Sequence, residues 1–495
     1  MACGARVRTS GTLAVLAALA AAGCAINPAT GKNQLMLVSQ DQGIAMGRQA
    51  DTAIIASIGL YPDAALQSYI QQFGARLAAT SERPELPWTF RVVDDPAVNA
   101  FAVPGGFVYV TRGILTHLTD EAELASVVGH EIGHITARHT AAEMSKQQLI
   151  GVGLAVGSIA SATVAKYAGT ASQALSILYL KYSRDDESQA DELGLRYMTR
   201  ANFDPRRMPE VFRMLEQMTA SEGGGQLPTW LSTHPSPGNR VDAITTQIAT
   251  LPQNFSGTTV NRDSYLRRLD GQVFGADPRE GYFQGSRFLH PDMRFQLTFP
   301  EGWATQNSRQ AVVAVSPAQD GAVEVATAQE ASANAAAGAF LAQQGITGGA
   351  TSRASVHGLT TVSAPFAAET SSGAVRGMVL FVEYRGGVFA LIGYAPDARW
   401  STYKTVVEGT LHSFQALTDP AALNAQPQRV EIVKIAARTT ITALARQRPS
   451  PVSAATLALI NQVALDTPLE AGRLVKWVVG PASLATKKPQ NATGR

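Results

Sequence analysis

Gly129-His130-Glu131-Ile132-Gly133-His134, inside the longer run Leu118–His139, is the stretch from which the rest of the chain can be read. Two histidines stand four residues apart, and a glutamate directly follows the first. On a helix, positions i and i+4 lie one above the other on one face. Both imidazoles then reach a single zinc ion, and Glu131 sits where it can take a proton from a water activated there. The flanking residues favour that helix. Leu124, Val128, Ile132 and Ile135 form one apolar stripe that a core would bury, and Asp120 with Glu123 three residues later fits a capping box. His139 falls off the ligand face and is expected at the surface or behind the ligands. His117 precedes the helix and is not expected to ligate.

Two histidines leave a zinc site short of a protein ligand, so a carboxylate is sought downstream. The segment Tyr182-Ser183-Arg184-Asp185-Asp186-Glu187-Ser188-Gln189-Ala190-Asp191 offers one. Ser183 suits a helix N-cap, and Leu193, Tyr197 and Met198 continue a helical face. Glu187 and Asp191 are again i and i+4. Glu187 can complete a two-histidine, one-glutamate set, and Asp191 can accept the free N–H of a ligand histidine. Asp185 and Asp186 are first-turn carboxylates favoured by the helix dipole.

Upstream, the runs Asp41–Ser57 and Asp63–Ala79 read as helices, the second with Leu66, Ile70, Phe73 and Leu77 at helical spacing. Trp88–Val93 and Phe107–Val110 read as strands. The turn-rich stretch Asn99–Gly106 between them is expected to join them antiparallel. Either this is a plain hairpin, or its edge can take an extended peptide as an added strand.

The chain has 495 residues, enough for two to four domains; it is 45% hydrophobic and 16% charged, with a formal charge of +2. No basic patch emerges, so nucleic acid is not an expected partner. Arg6 and Arg8 precede an apolar stretch from Leu13 to Ala22, too short to span a bilayer, which ends Ala21-Ala22-Gly23-Cys24. Small residues before a cysteine resemble a lipoprotein signal with Cys24 as the lipidated residue, although leucine is commoner than Ala21 at its place. Ordinary cleavage to a soluble periplasmic protein is the alternative. Cys3 and Cys24 are the only cysteines, so a mature chain beginning at Cys24 has neither a disulfide framework nor a thiolate zinc site. Between Lys146 and Lys166 there is no charge. This stretch is read as a helical hairpin or flap over the site, with membrane contact as the other reading.

Four separated stretches resemble one family. His130, Glu131 and His134, then Glu187, Ala190 and Asp191, match the marks of the gluzincin metallopeptidases of the HtpX and CAAX prenyl protease family (M48 type). Asn99-Ala100-Phe101-Ala102-Val103-Pro104-Gly105-Gly106 looks like the segment before that family's zinc helix. Ser232-Thr233-His234-Pro235, followed by Asn239-Arg240-Val241, is similar to a loop of its exported, BepA-like and LoiP-like branch. The likeness runs from about Asn27 to Leu251. It implies a mainly helical zincin domain with a small antiparallel sheet, one zinc ion per chain, and endopeptidase action on misfolded or outer-membrane proteins of the envelope. In that setting His234 is either a fourth, displaceable ligand or a hydrogen-bond donor to an oxyanion, and Arg240 is a second candidate for the latter. Ala25 after the cysteine implies the outer membrane, and assembly machinery for outer-membrane proteins is an expected partner.

The expected organisation is therefore a signal peptide over residues 1–23, a zinc metalloprotease domain over 24–255, a linker over 256–290, and an α+β domain over 291–418. A small module resembling LysM, with strand, helix, helix and strand, covers 428–480, and a disordered tail covers 481–495. Met378–Tyr384, Arg385-Gly386-Gly387 and Val388–Tyr394 make the clearest hairpin. The usual Gly-Asp-Thr turn of LysM is replaced by Ala437-Arg438-Thr439, which puts peptidoglycan binding in doubt. A competing function is a latent or non-proteolytic assembly or peptidoglycan-associated scaffold whose zinc site is closed.

Overall fold

The computed structural model describes residues 24–150, 181–221, 230, 231, 234, 239–252, 254–370 and 373–481. The expected signal peptide, the uncharged stretch beyond residue 150 and the tail after 481 lie outside the described residues.

The first region is mainly helical. Its centre is the helix Glu121–Thr136, every residue of which is buried. Asp120 caps it by accepting from the Glu123 N–H at 2.9 Å. The expected box is displaced by one residue, because the Glu123 carboxylate accepts from the Thr119 N–H and hydroxyl instead of reaching back to Asp120. The stripe Leu124, Val128, Ile132 and Ile135 lies in the main core, with Leu66, Ile70, Phe73 and Leu77 of the helix Ala64–Ala78. Both upstream helices form where the spacing places them, as Gln40–Ser57 and Ala64–Ala78.

The small sheet differs from expectation. It has three strands, with Phe107–Thr111 in the middle and Ala100–Val103 at one side. Thr89–Val93 runs parallel to Phe107–Thr111, so the sheet is mixed and not purely antiparallel. The antiparallel hairpin joins Ala100–Val103 to Phe107–Thr111 through Pro104-Gly105-Gly106. Gly105 and Gly106 have φ of 88° and 105°, which side chains other than glycine rarely adopt. The chain needs those few residues after Thr89–Val93 to turn back as a strand of its own, and that reverses the pairing expected from two strands alone.

Helix Arg184–Arg200 crosses the central helix, and glycines set how close the two come. A Cβ on Gly194 would lie 2.8 Å from the His130 backbone nitrogen, and one on Gly133 would lie 3.0 Å from the Ala190 carbonyl. The first is shorter than carbon can approach backbone without displacement and the second is tighter than ordinary contact, so the two helices come this close because these side chains are absent. Ser183 caps this helix in a reciprocal box with Asp186.

The later region is rich in strands. Residues 256–290, expected as a linker, include the helix Arg262–Arg268, whose Tyr265 and Leu266 join the main core, and short strands Val273–Phe274, Tyr282–Gln284 and Arg287–His290. A larger antiparallel sheet is centred on the hairpin Gly373–Tyr384 and Gly387–Pro396. Alternation decides its packing. Leu380 and Val382 face a cluster with Phe295, Phe414 and helix Trp400–His412, whereas Val379 and Phe381 face one with Phe340 of helix Ala333–Leu341. With both faces covered, the central strands read as continuous apolar runs. Strand Gln428–Lys434, helices Ile441–Gln447 and Ala454–Ile460, and strand Leu474–Val479 follow in the expected order. Val273–Phe274 adds a third strand to that module's sheet. Among the described residues, no helix is long and apolar enough to cross a membrane.

Candidate metal centre

Three elements bring the site together. The central helix presents His130, Glu131 and His134 on one side. The crossing helix, held close by Gly194 and Gly133, presents Glu187 and Asp191. His234 arrives from the chain ahead of helix Arg240–Thr250, its N–H bonded to the Trp230 carbonyl at 2.7 Å. His130, His134, Glu187 and His234 are all buried, and one ligand atom from each lies within 4.8 Å of every other.

The spacing suits a tetrahedral ion. Bond lengths of about 2.0–2.1 Å to nitrogen or oxygen put neighbouring ligand atoms about 3.3 Å apart. Here His134 Nε2 lies 3.0 Å from His130 Nε2, His130 Nε2 lies 3.3 Å from His234 Nδ1, and Glu187 Oε1 lies 3.4 Å from His134 Nε2. Glu187 Oε1 is also 2.9 Å from His234 Nδ1, and Glu187 Oε2 is 3.6 Å from His130 Nε2. His130, with Nδ1 committed to Asp191, turns the lone pair of Nε2 on ring nitrogens of both His134 and His234, an arrangement that a cation among them would satisfy. Glu187 Oε2 and both oxygens of Glu131 are buried with no hydrogen-bond partner among the described residues, although such atoms are normally satisfied. The residues therefore fit a divalent ion, and three imidazoles with one carboxylate suit zinc.

Behind the ligands, charge is arranged in layers. His130 Nδ1 is 2.9 Å from Asp191 Oδ1, which selects the tautomer with Nε2 free. Arg240 grips Asp191 with Nε and Nη2, both at 2.6 Å, and its Nη1 lies 3.3 Å from Glu187 Oε2. This guanidinium is itself buried and stacks over Phe212 at 4.2 Å. The structure thus places Arg240 on Asp191 and beside Glu187. Burial acts to raise the Glu187 carboxyl, but the His234 charge and hydrogen bonds from both histidines outweigh it and hold Glu187 well below the usual range. Burial likewise opposes ionisation of Asp191, and Arg240 overrides it. Glu131 accepts no hydrogen bond among the described residues, and burial, only partly offset by the charges of His130 and Arg240, pushes it up to about 8. Burial holds His134 well below its ordinary value, leaving the neutral imidazole that a metal needs.

Several neighbours carried no clear signal in the sequence. His139 is buried, with Nδ1 3.0 Å from His134 Nδ1 and Nε2 2.9 Å from Gln189 Oε1. Of the two expected places for it, this is the one behind the ligands. The Tyr182 ring stacks on His134 with centroids 4.0 Å apart, and Trp230 meets His130 and His234 edge-on. The glycines at 129 and 133, each one residue before a histidine, were a usable sign of a close helix crossing.

Residues 64–248 match Peptidase family M48. Over 189 residues the chain is 37% identical to the putative beta-barrel assembly-enhancing protease of Vibrio cholerae, covering 36% of this chain and 38% of that one. It is 32% identical over 224 residues to the beta-barrel assembly-enhancing protease of Escherichia coli, covering 43% and 45%. It is 37% identical over 165 residues to the mitochondrial metalloendopeptidase OMA1 of Arabidopsis thaliana, covering 32% and 31%. The chain thus spans less than half the length of each of these relatives. His130, Glu131, His134 and Glu187 are gathered inside the matched segment, so it is through residues 64–248, with the metal centre included, that the chain is similar to peptidase family M48.

Proposed function

We propose that the protein is a zinc-dependent endopeptidase of the bacterial cell envelope that degrades misfolded or outer-membrane proteins. The observation that carries this reading is the unpartnered, buried carboxylate of Glu131 beside four converging ligand atoms. His130, His134 and Glu187, with His234 as a fourth, would hold the ion, which supplies Lewis-acid polarisation of the scissile carbonyl and a more acidic water. Glu131 takes the proton of the attacking water and returns it to the leaving amine. Asp191 fixes the His130 ring, and Arg240 fixes Asp191 while balancing the charge of Glu187. The test is Glu131→Gln, which keeps the shape and removes the base. It should bind zinc as the parent does, lose hydrolysis of an unfolded substrate such as casein, and retain captured substrate. Cleavage at the parental rate would sink the mechanism.

A second reading has a specific observation behind it. His234 Nδ1 sits at ligand spacing from both His130 and Glu187, and its Nε2 lies 3.7 Å from Glu131 Oε1. In that state the fourth position is filled and the base is shielded, which describes a latent enzyme or a scaffold with a closed site. Activity that appears only in His234→Ala favours latency, and robust cleavage by the parent counts against it.

The beta-barrel assembly-enhancing relatives support protein substrates and a link to assembly of outer-membrane proteins. Anchoring at Cys24, on the periplasmic side of the outer membrane, rests on the signal-like sequence before it. We divide the chain as the sequence suggests, with a zincin domain to about residue 255, an α+β domain over 291–418 and a LysM-like module over 428–480. The order of strands and helices supports that module.

A further inference from the structure

The C-terminal module contains a lysine whose ammonium group finds its hydrogen-bond partners outside the module. Lys476 lies on the strand Leu474–Val479 and is fully buried. Its backbone is fixed within the module by Asn461, which accepts from the Lys476 N–H and donates to its carbonyl, both at 2.8 Å. Its side chain leaves the module. Nζ donates to the Thr116 carbonyl at 2.7 Å, at the end of the short helix Arg112–His117, and to the Leu118 carbonyl at 2.6 Å, just ahead of the helix Glu121–Thr136. One residue after Asn461, Gln462 donates to the His117 carbonyl at 3.2 Å and to Glu123 Oε2 at 2.9 Å. Glu123 lies in that helix's first turn, and its carboxylate also takes Thr119 and, at 2.6 Å, Arg207 Nη2. Leu474 joins the protease-side core itself, with Ile432 and Leu459 packed against it.

A buried ammonium is costly unless its donors are matched, and here its partners belong to another part of the chain. The contacts land where they have most leverage. His130 follows Glu123 by seven residues, so a tilt of the first turn is carried about 10 Å along a stiff helix to the ligands. We propose that Lys476 and Gln462 are positioning residues for the metal centre, through which the C-terminal module sets the start of the helix bearing His130, Glu131 and His134. The kinetic part rests on the peptidase reading, whereas the metal-binding and exchange parts do not.

The test uses full-length Lys476→Met, which keeps the stem and removes the charge, and Gln462→Ala as a milder change. Three quantities are read: amide exchange over residues 116–124, zinc affinity by chelator competition, and kcat and KM on casein. The expected result is faster exchange over 116–124, about a tenfold loss of zinc affinity, and a fall in kcat with KM little changed. Exchange within 428–434 and the emission of Trp477 should stay parental. Gln462→Ala should move the same readouts less, and it decides the matter if Lys476→Met does not fold. Parental exchange, zinc affinity and kcat in both variants would overturn the proposal. So would loss of protection throughout 428–479 in both, which would reduce the two residues to a role in folding their own module. If the parent cleaves nothing, zinc affinity and exchange still decide, and only the peptidase reading falls.

Discussion

Asp191→Asn isolates the charge that stands behind the metal ligands. The substitution keeps the size of the side chain but removes the carboxylate that receives two 2.6 Å bonds from Arg240 and the 2.9 Å contact from His130 Nδ1. Arg240 is only 2% exposed, so water cannot replace the lost partner. Removing one member of a buried ion pair costs about 3–5 kcal/mol. Glu187 Oε2, 3.3 Å from Arg240 Nη1, remains as partial compensation, which points to the lower end, near 3 kcal/mol. That figure applies to the metal-free protein and is read as the shift in urea unfolding in excess chelator. The effect on the centre is separate. Asparagine keeps one acceptor oxygen and turns an N–H on either Arg240 Nε or the pair Arg240 Nη2 and His130 Nδ1, and His130 loses its charged anchor in both cases, so zinc affinity should fall about 10- to 100-fold in a competition titration. Parental zinc affinity together with a parental urea midpoint would refute the idea that Asp191 holds the site together.

Two further changes probe packing and burial. Gly194→Ala places a Cβ 2.8 Å from the His130 backbone nitrogen and should cost about 1–3 kcal/mol while weakening zinc binding; Gly338→Ala, where a Cβ meets nothing within 4 Å, should cost nothing, and equal behaviour of the two would dismiss the close-crossing argument. Glu324, 7% exposed in the larger sheet, is pushed up to about 7 by burial, from an ordinary 4.5. A carboxyl raised in the folded state contributes its stability below pH 4.5 and loses it as pH rises through about 7, so Glu324→Gln should gain on the parent by up to about 3 kcal/mol between pH 4.5 and pH 8. A gap that stays constant over that range in urea unfolding would show that Glu324 is ionised at little cost.

Local spacing alone determined the helix that carries His130, Glu131 and His134, the helix that carries Glu187 and Asp191, and the hairpin around Arg385-Gly386. In each case the signal lies within a few residues: i and i+4 pairs, a capping serine, or a turn between alternating apolar runs. The order of elements in the last module was legible for the same reason. The pairing of Thr89–Val93 was not, because a strand's partner depends on where distant chain returns, and two apolar runs do not encode direction. Likewise, no local pattern says that Arg240 will meet Asp191, that His139 will face His134, or that Lys476 will reach across to Thr116 and Leu118. These contacts join residues far apart in sequence or on separate elements, and burial gives them their strength by removing the water that would otherwise satisfy each group. The sequence therefore named the chemistry, whereas tertiary packing decided which charges stand behind it and what holds its helix in place.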